Sequence, residues 1–116
     1  MTSLARYRQR AAVRQGFRCY YCGSPIWLEN PDRFAATHGL SRAQARLLRC
    51  TAEHLEAKRD GGTDRRENIV AACEFCNQHR HRARNPLPPT AYRERVVEAM
   101  SHGRWLAGVF SGNSWQ

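Results

Sequence analysis

The sequence predicts a small α+β domain stapled by a bound metal, and three observations predict it. Only 41% of the 116 residues are hydrophobic, and a domain of this size is marginal on apolar burial alone. Four of the five cysteines form two Cys-x-x-Cys pairs, Cys19 with Cys22 and Cys73 with Cys76. Between the pairs a strand-like stretch runs into a Gly-Gly turn and then a helical pattern. One domain over residues 1–116 is expected, with its core at about 19–84 and flanking helices at 2–15 and 90–105.

Thr2 or Ser3 caps a first helix that runs to about Gln15, with Leu4, Tyr7, Ala11 and Ala12 near one face and Gly16 as its stop. FRCYYCGSP follows as an aromatic-rich knuckle. Gly23 allows a tight turn around a metal there, and the aromatics read as packing. Residues 26–40 read as irregular, broken by Pro31 and Gly39. Ser41-Arg-Ala-Gln44 has the pattern of a capping box and opens a short helix through Leu48.

RCTAEHLEA, residues 49–57, alternates as a strand with Cys50, Ala52 and His54 on one side. Asp60-Gly61-Gly62 supplies the turn, and Asp60 and Asp64 read as turn and solvent residues. Asn68 then caps a helix, NIVAACEFCNQHRHRAR, which Asn85-Pro86 ends. Thr90 caps a last helix with an apolar stripe of Tyr92, Val96, Ala99 and Met100. The tail GVFSGNSWQ carries no pattern.

Charge narrows the partner. The formal net charge is +9, from 19 Lys and Arg against 10 Asp and Glu, and Lys58 is the only lysine. Arginine presents a planar fork that matches phosphate oxygens, so this excess is the electrostatic footprint of a nucleic-acid binder. Four zinc-bound thiolates lower the total to about +7 without changing its sign. No stretch approaches the length of a membrane span. The opening MTSLARYRQRAAVRQGFR is interrupted by arginines and has no apolar core segment, so no export signal is read and a cytoplasmic setting, bacterial or phage-like, is expected. In that setting cysteines stay reduced, and Cys-x-x-Cys pairs read as zinc ligands rather than disulfides.

Each Cys-x-x-Cys places two sulfurs on one side of a turn, and two such pairs complete a tetrahedron. Cys19, Cys22, Cys73 and Cys76 form a closed four-sulfur site of the structural kind, with no open position for chemistry. Its expected job is to clamp the N-terminal knuckle onto the start of the 68–84 helix. Cys50 is left over and reads as a small buried residue.

Glu53-His54 in a strand, a Gly-Gly turn, Asn68, and Cys73-x-x-Cys76 followed at once by Asn77 is similar to the HNH (ββα-metal) endonuclease family, in its branch with two Cys-x-x-Cys pairs. The resemblance covers about residues 19–84. It implies a small ββα-metal core with a four-cysteine zinc knuckle and flanking N- and C-terminal helices. Phosphodiester hydrolysis gives the residue types their reason. A base must deprotonate water near neutral pH, which suits histidine. A hard divalent cation must neutralise charge on the phosphate, which calls for oxygen or imidazole ligands. By resemblance His54 is the general base, Glu53 and Asn77 hold the catalytic ion, and Asn68 tethers the ββ loop or orients the base. His81 lies one helical turn after Asn77 and is a candidate further ligand or phosphate contact. The ion is Mg²⁺ or another divalent ion such as Mn²⁺ or Ni²⁺. Glu53 departs from the commoner Asp, Ala57 from a common Pro, and Asn77 makes this an HNN variant.

The same resemblance implies DNA as substrate, double-stranded and read with low sequence specificity, cut to 5′-phosphate and 3′-hydroxyl ends. Arg80, Arg82 and Arg84 would follow the backbone, and Lys58, Arg59, Arg65 and Arg66 would hold the opposite strand. Such contacts give affinity and salt dependence but no sequence information. One site cuts one strand, so a double-strand break needs a homodimer or two visits. Two rivals keep the metal site without catalysis: a zinc-containing module that only binds nucleic acid, and an adaptor that binds protein.

Overall fold

The computed structural model describes residues 1–110. Its elements run α1 (Ser3–Arg14), α2 (Pro31–His38), α3 (Arg42–Leu47), β1 (Cys50–His54), β2 (Ile69–Cys73), α4 (Glu74–Arg82), α5 (Pro89–Ser101) and α6 (Ala107–Phe110). β1 and β2 form an antiparallel pair in which Cys50 faces Cys73, Glu53 faces Val70 and His54 faces Ile69. Helix α1 lies against the hairpin, and α4 follows directly from β2 and packs back on both strands. This is the small ββα core with flanking helices that the motif implied. Among the described residues no helix is long and apolar enough to cross a membrane.

The second strand corrects one expectation. Asn68 does not cap a helix; it ends a 3₁₀ turn, and residues 69–73 are extended. Ile69, Val70, Ala71, Ala72 and Cys73 are all buried, and a continuous apolar run of that length has no period to tell strand from helix. Helix α4 starts five residues later than expected, where the sulfur of Cys73 accepts from the backbone N–H of Cys76 at 3.4 Å. The Cys73/Cys76 pair therefore sits at the strand-to-helix junction, not in the interior of a helix.

A second correction falls between residues 26 and 40, read as irregular. Asn30 caps α2 there by accepting from the backbone of Arg33, Pro31 takes the first helical position and Gly39 closes the helix. The proline read as a breaker is a helix starter, since its missing N–H has no partner to lose at that position. The last helix opens on Pro88 and Pro89 without a side-chain cap, and Thr90 lies inside it. The capping box of Ser41 and Gln44 opens α3 as the pattern indicated.

The core gathers where α1, the hairpin, the knuckle and α5 meet. Ala11 and Ala12 are fully buried against the sheet side, and Tyr21, Leu48, Ile69 and Val96 are the larger buried side chains. The outer edge of β2 is covered by side chain and loop. Gln15 bonds both backbone groups of Ala71, donating at 2.8 Å and accepting at 2.9 Å, and Tyr20 donates its N–H to the same carbonyl. An edge closed this way cannot recruit another strand. The C-terminal tail beyond residue 110, in which no pattern was read, lies outside the described residues.

Candidate active site and metal centre

The four expected cysteines converge. The sulfurs of Cys19, Cys22, Cys73 and Cys76 all lie within 4.8 Å of one another and are buried, and among the described residues no other group of three or more His, Cys, Asp or Glu converges as a metal site. The Cys22 and Cys73 sulfurs are 3.9 Å apart, close to the ~3.8 Å edge of a tetrahedron with ~2.3 Å metal–sulfur bonds. Gly23 takes φ +73° in the knuckle turn, which a side chain would strain. Backbone N–H groups of Tyr21 and Cys73 point at the Cys19 sulfur, and Trp105 donates its indole N–H to Cys76 at 3.2 Å. Such donors orient ligands and offset their charge.

The protons are shared unevenly across this cluster. Burial opposes the charged form of Cys19, yet hydrogen bonds from the sulfurs of Cys22, Cys73 and Cys76 hold its thiol well below the ordinary value. The hydrogen bonds of Cys73 to Cys19 and Cys22 raise that thiol, and burial with the same neighbours raises Cys76. Four sulfurs this close could hold a metal ion. Cys50 is apart from them, with its thiol pushed up to about 11 by burial.

The second cluster lies where the end of β1 meets α4. Thr51 and Glu53, two residues apart, face the helix. Asn77 donates its amide to Thr51 Oγ1 at 2.9 Å. Arg80 and His81, three and four residues further on, share that helix face. The Glu53 carboxylate is 1% exposed and splits its oxygens. Oε2 accepts from Tyr21 at 2.8 Å and from Arg80 at 3.0 Å, and Oε1 meets His81 Nε2 at 2.7 Å. Burial and the neighbouring carboxylate push the Tyr21 phenol far up, so it stays a donor.

His54 ends β1 and is partly exposed. Its Nε2 lies 2.7 Å from Asp64 Oδ1 across the loop that joins the strands. The loop is pinned from inside by Asn68, whose side chain accepts from Glu56 N and donates to Glu56 O and Thr63 O. Gly62 closes the loop so tightly that a Cβ there would run into the Glu56 carbonyl.

The expected site residues thus occupy three settings. Glu53 and His81 touch between β1 and α4, Asn77 lies one helical turn before His81 and bonds Thr51, and His54 ends the strand with its side chain on Asp64. Asn68 sits below the loop as a tether. The expected phosphate contacts divide: Lys58, Arg59, Arg65, Arg66, Arg82 and Arg84 are exposed, whereas Arg80 is 5% exposed. Its guanidinium donates to Glu53, to the carbonyls of His54 and Leu55, and to that of Leu87. Four of its five N–H groups are thus spent inside the protein.

Two residues of this site escaped the sequence. Tyr21 looked like knuckle packing, and nothing in its spacing announces a hydroxyl aimed at Glu53. Asp64 looked like a turn residue. Its ten-residue separation from His54 has no periodic meaning, and only the folded loop brings them together.

With this geometry in hand, comparison with known proteins agrees with the motif. Residues 19–83 match the family model described as HNH endonuclease. The chain is similar to the CRISPR-associated endonuclease Cas9 of Corynebacterium diphtheriae, at 35% identity over 72 residues. That alignment covers 62% of this chain, which spans about 5% of the length of that relative. No solved structure matches.

Proposed function

The chain belongs to the HNH endonuclease family, and from that membership we propose that it is a divalent-metal-dependent nuclease that hydrolyses DNA with His54 as general base. The observation that supports this reading is the contact of Glu53, next to His54 at the end of β1, with His81, which lies one helical turn after Asn77 on α4. In this reading the four-cysteine site holds zinc, which the sulfur spacing fits.

The donors between β1 and α4 suit a hard cation such as Mg²⁺ or Mn²⁺. Glu53 offers Oε1, because Oε2 is spent on Tyr21 and Arg80. Asn77 offers its carbonyl oxygen, because its amide nitrogen is spent on Thr51. His81 would offer Nε2 in place of its present hydrogen bond to Glu53 Oε1, 2.7 Å long, once that nitrogen gives up its proton to make room for the ion. Bound there, the ion supplies charge neutralisation at the scissile phosphate.

His54 takes a proton from water, whose oxygen bonds phosphorus as the bond to the 3′-oxygen breaks. The 3′-oxygen acquires a proton from solvent, which leaves 3′-hydroxyl and 5′-phosphate ends. Arg80 and Tyr21 fix the Glu53 carboxylate throughout. Lys58, Arg59, Arg65, Arg66, Arg82 and Arg84 hold the DNA backbone, so double-stranded DNA is bound with low sequence specificity. One chain nicks one strand, and a homodimer or two visits make a double-strand break. The expected setting is the cytoplasm.

The test is a plasmid-nicking assay on the zinc-loaded chain, wild type beside His54→Ala, with Mg²⁺, Mn²⁺ or EDTA. Nicking should need the divalent ion and fall by about 10²–10⁴-fold in the variant, the range of general-base catalysis, at unchanged zinc content. Undiminished cleavage by His54→Ala would remove the assignment of the base. A second reading, a zinc module that binds nucleic acid without cutting it, is favoured by the burial of Glu53 among three donors. DNA binding with no cleavage under any of these ions would establish it.

A further inference from the structure

We propose that Asp64 is the positioning residue of the general base: it holds the His54 ring in one orientation and one tautomer, with Nδ1 as the proton-accepting atom. This inference rests on the nuclease reading above. It starts from the contact between His54 Nε2 and Asp64 Oδ1, 2.7 Å long and between groups ten residues apart.

The tautomer follows from what a carboxylate can do. An ionised carboxylate only accepts, so the nitrogen facing it must carry the proton, and the neutral ring then keeps its lone pair on the other nitrogen. Asp64 is ionised in this setting. The hydrogen bond from His54, then that from Lys58, hold its carboxyl below the ordinary aspartate value. Lys58 Nζ lies 3.2 Å from Oδ1 and 3.3 Å from Oδ2, so the carboxylate has a second cation beside it.

An exposed aspartate is ordinarily a poor positioning group, because its backbone wanders. Here the backbone is fixed on both sides of it. Asn68 donates to the carbonyl of Thr63 at 2.8 Å, and the N–H of Arg65 points at the Thr63 hydroxyl at 3.3 Å. Gly62 donates its N–H to the Ala57 carbonyl at 2.9 Å, which closes the preceding turn. On the other side of the contact, Arg80 donates to the His54 carbonyl at 3.1 Å and anchors the strand end. The acceptor and the ring are therefore each held by the core. Asn68 gains a specific role from this: its tether presents Asp64 to the base.

The experiment uses the full zinc-loaded chain and compares Asp64→Ala, Asp64→Asn and Asp64→Glu with wild type. Nicking of a defined duplex is followed under saturating Mg²⁺ for kcat and KM, with a separate Mg²⁺ titration. The imidazole ¹⁵N spectrum, with His54→Ala to identify the signal, reports the tautomer. For Asp64→Ala the expected result is a kcat on the order of 10²-fold lower, the lower end of what a general base supplies. KM for DNA and the Mg²⁺ half-saturation should stay within about twofold of wild type. The His54 signal should move from the Nε2–H form to a mixture of tautomers, and Asp64→Glu should regain part of kcat and of the tautomer preference.

Wild-type kcat in Asp64→Ala would overturn the proposal. So would a loss carried by KM or by the Mg²⁺ titration, which would make Asp64 a DNA contact or a metal ligand. Unchanged zinc content and far-ultraviolet circular dichroism separate these outcomes from misfolding. The ¹⁵N spectrum needs no turnover, so an inactive wild type would remove the nuclease reading, while a His54 tautomer indifferent to Asp64 would remove this one.

Discussion

Arg80 shows how a charged residue can belong to the interior of so small a protein. Its guanidinium is buried with the Glu53 carboxylate, and its remaining donors are spent on three backbone carbonyls. Removing one partner of a buried pair leaves the other charge uncompensated, which costs about 3–5 kcal/mol. Arg80→Ala should therefore lower the unfolding free energy by roughly that amount, read as a fall in the urea midpoint of the zinc-loaded chain. A shift worth less than about 1 kcal/mol, the level of a surface pair, would show that Glu53 relaxes to another partner. The motif made Arg80 a basic residue at a phosphate-binding position. In the folded chain it is buried against Glu53, which also accepts from Tyr21, and these partners are 27 and 59 positions away in sequence.

At the scale of elements, the strand-to-helix junction at Cys73 depends on the four-sulfur site. Cys73 ends β2, caps α4 and contributes a sulfur to the cluster. Stripping the metal should loosen β2, α4 and the knuckle together, since structural zinc sites are worth on the order of 10–16 kcal/mol of apparent binding free energy at neutral pH. Titration with a strong chelator, followed by circular dichroism, should show one cooperative loss of structure that added Zn²⁺ reverses. Native helix and strand content after complete zinc removal would show that the apolar core suffices. The pairs Cys19/Cys22 and Cys73/Cys76 were legible because their spacing is local chemistry. So was α3, whose box lies within four residues. β2 was not, because five buried residues in a row carry no amphipathic period. Asp64 and Tyr21 were not, because their partners are set by tertiary packing.

At the scale of the whole molecule, the positive charge is spread over loop and helix end around the strand terminus. Arg82 at the end of α4 and Arg84 just after it are exposed, and Arg59 donates to the Ala83 carbonyl at 3.0 Å, which ties the loop to that end. Backbone contacts of this kind act through released counterions, each worth a slope of about 0.9 in log affinity against log salt on duplex DNA. Arg82→Ala with Arg84→Ala should flatten the measured slope by up to about 2 and weaken binding alike on unrelated duplexes. A loss confined to one sequence would mean that these arginines read bases. Tyr21 gives the molecule a further property. It sits between Cys19 and Cys22 of the sulfur cluster, yet its hydroxyl donates to the Glu53 carboxylate. The two centres are thus wired in series. Loss of order at the cysteine knuckle would therefore also release the brace on the Glu53 carboxylate at the end of β1.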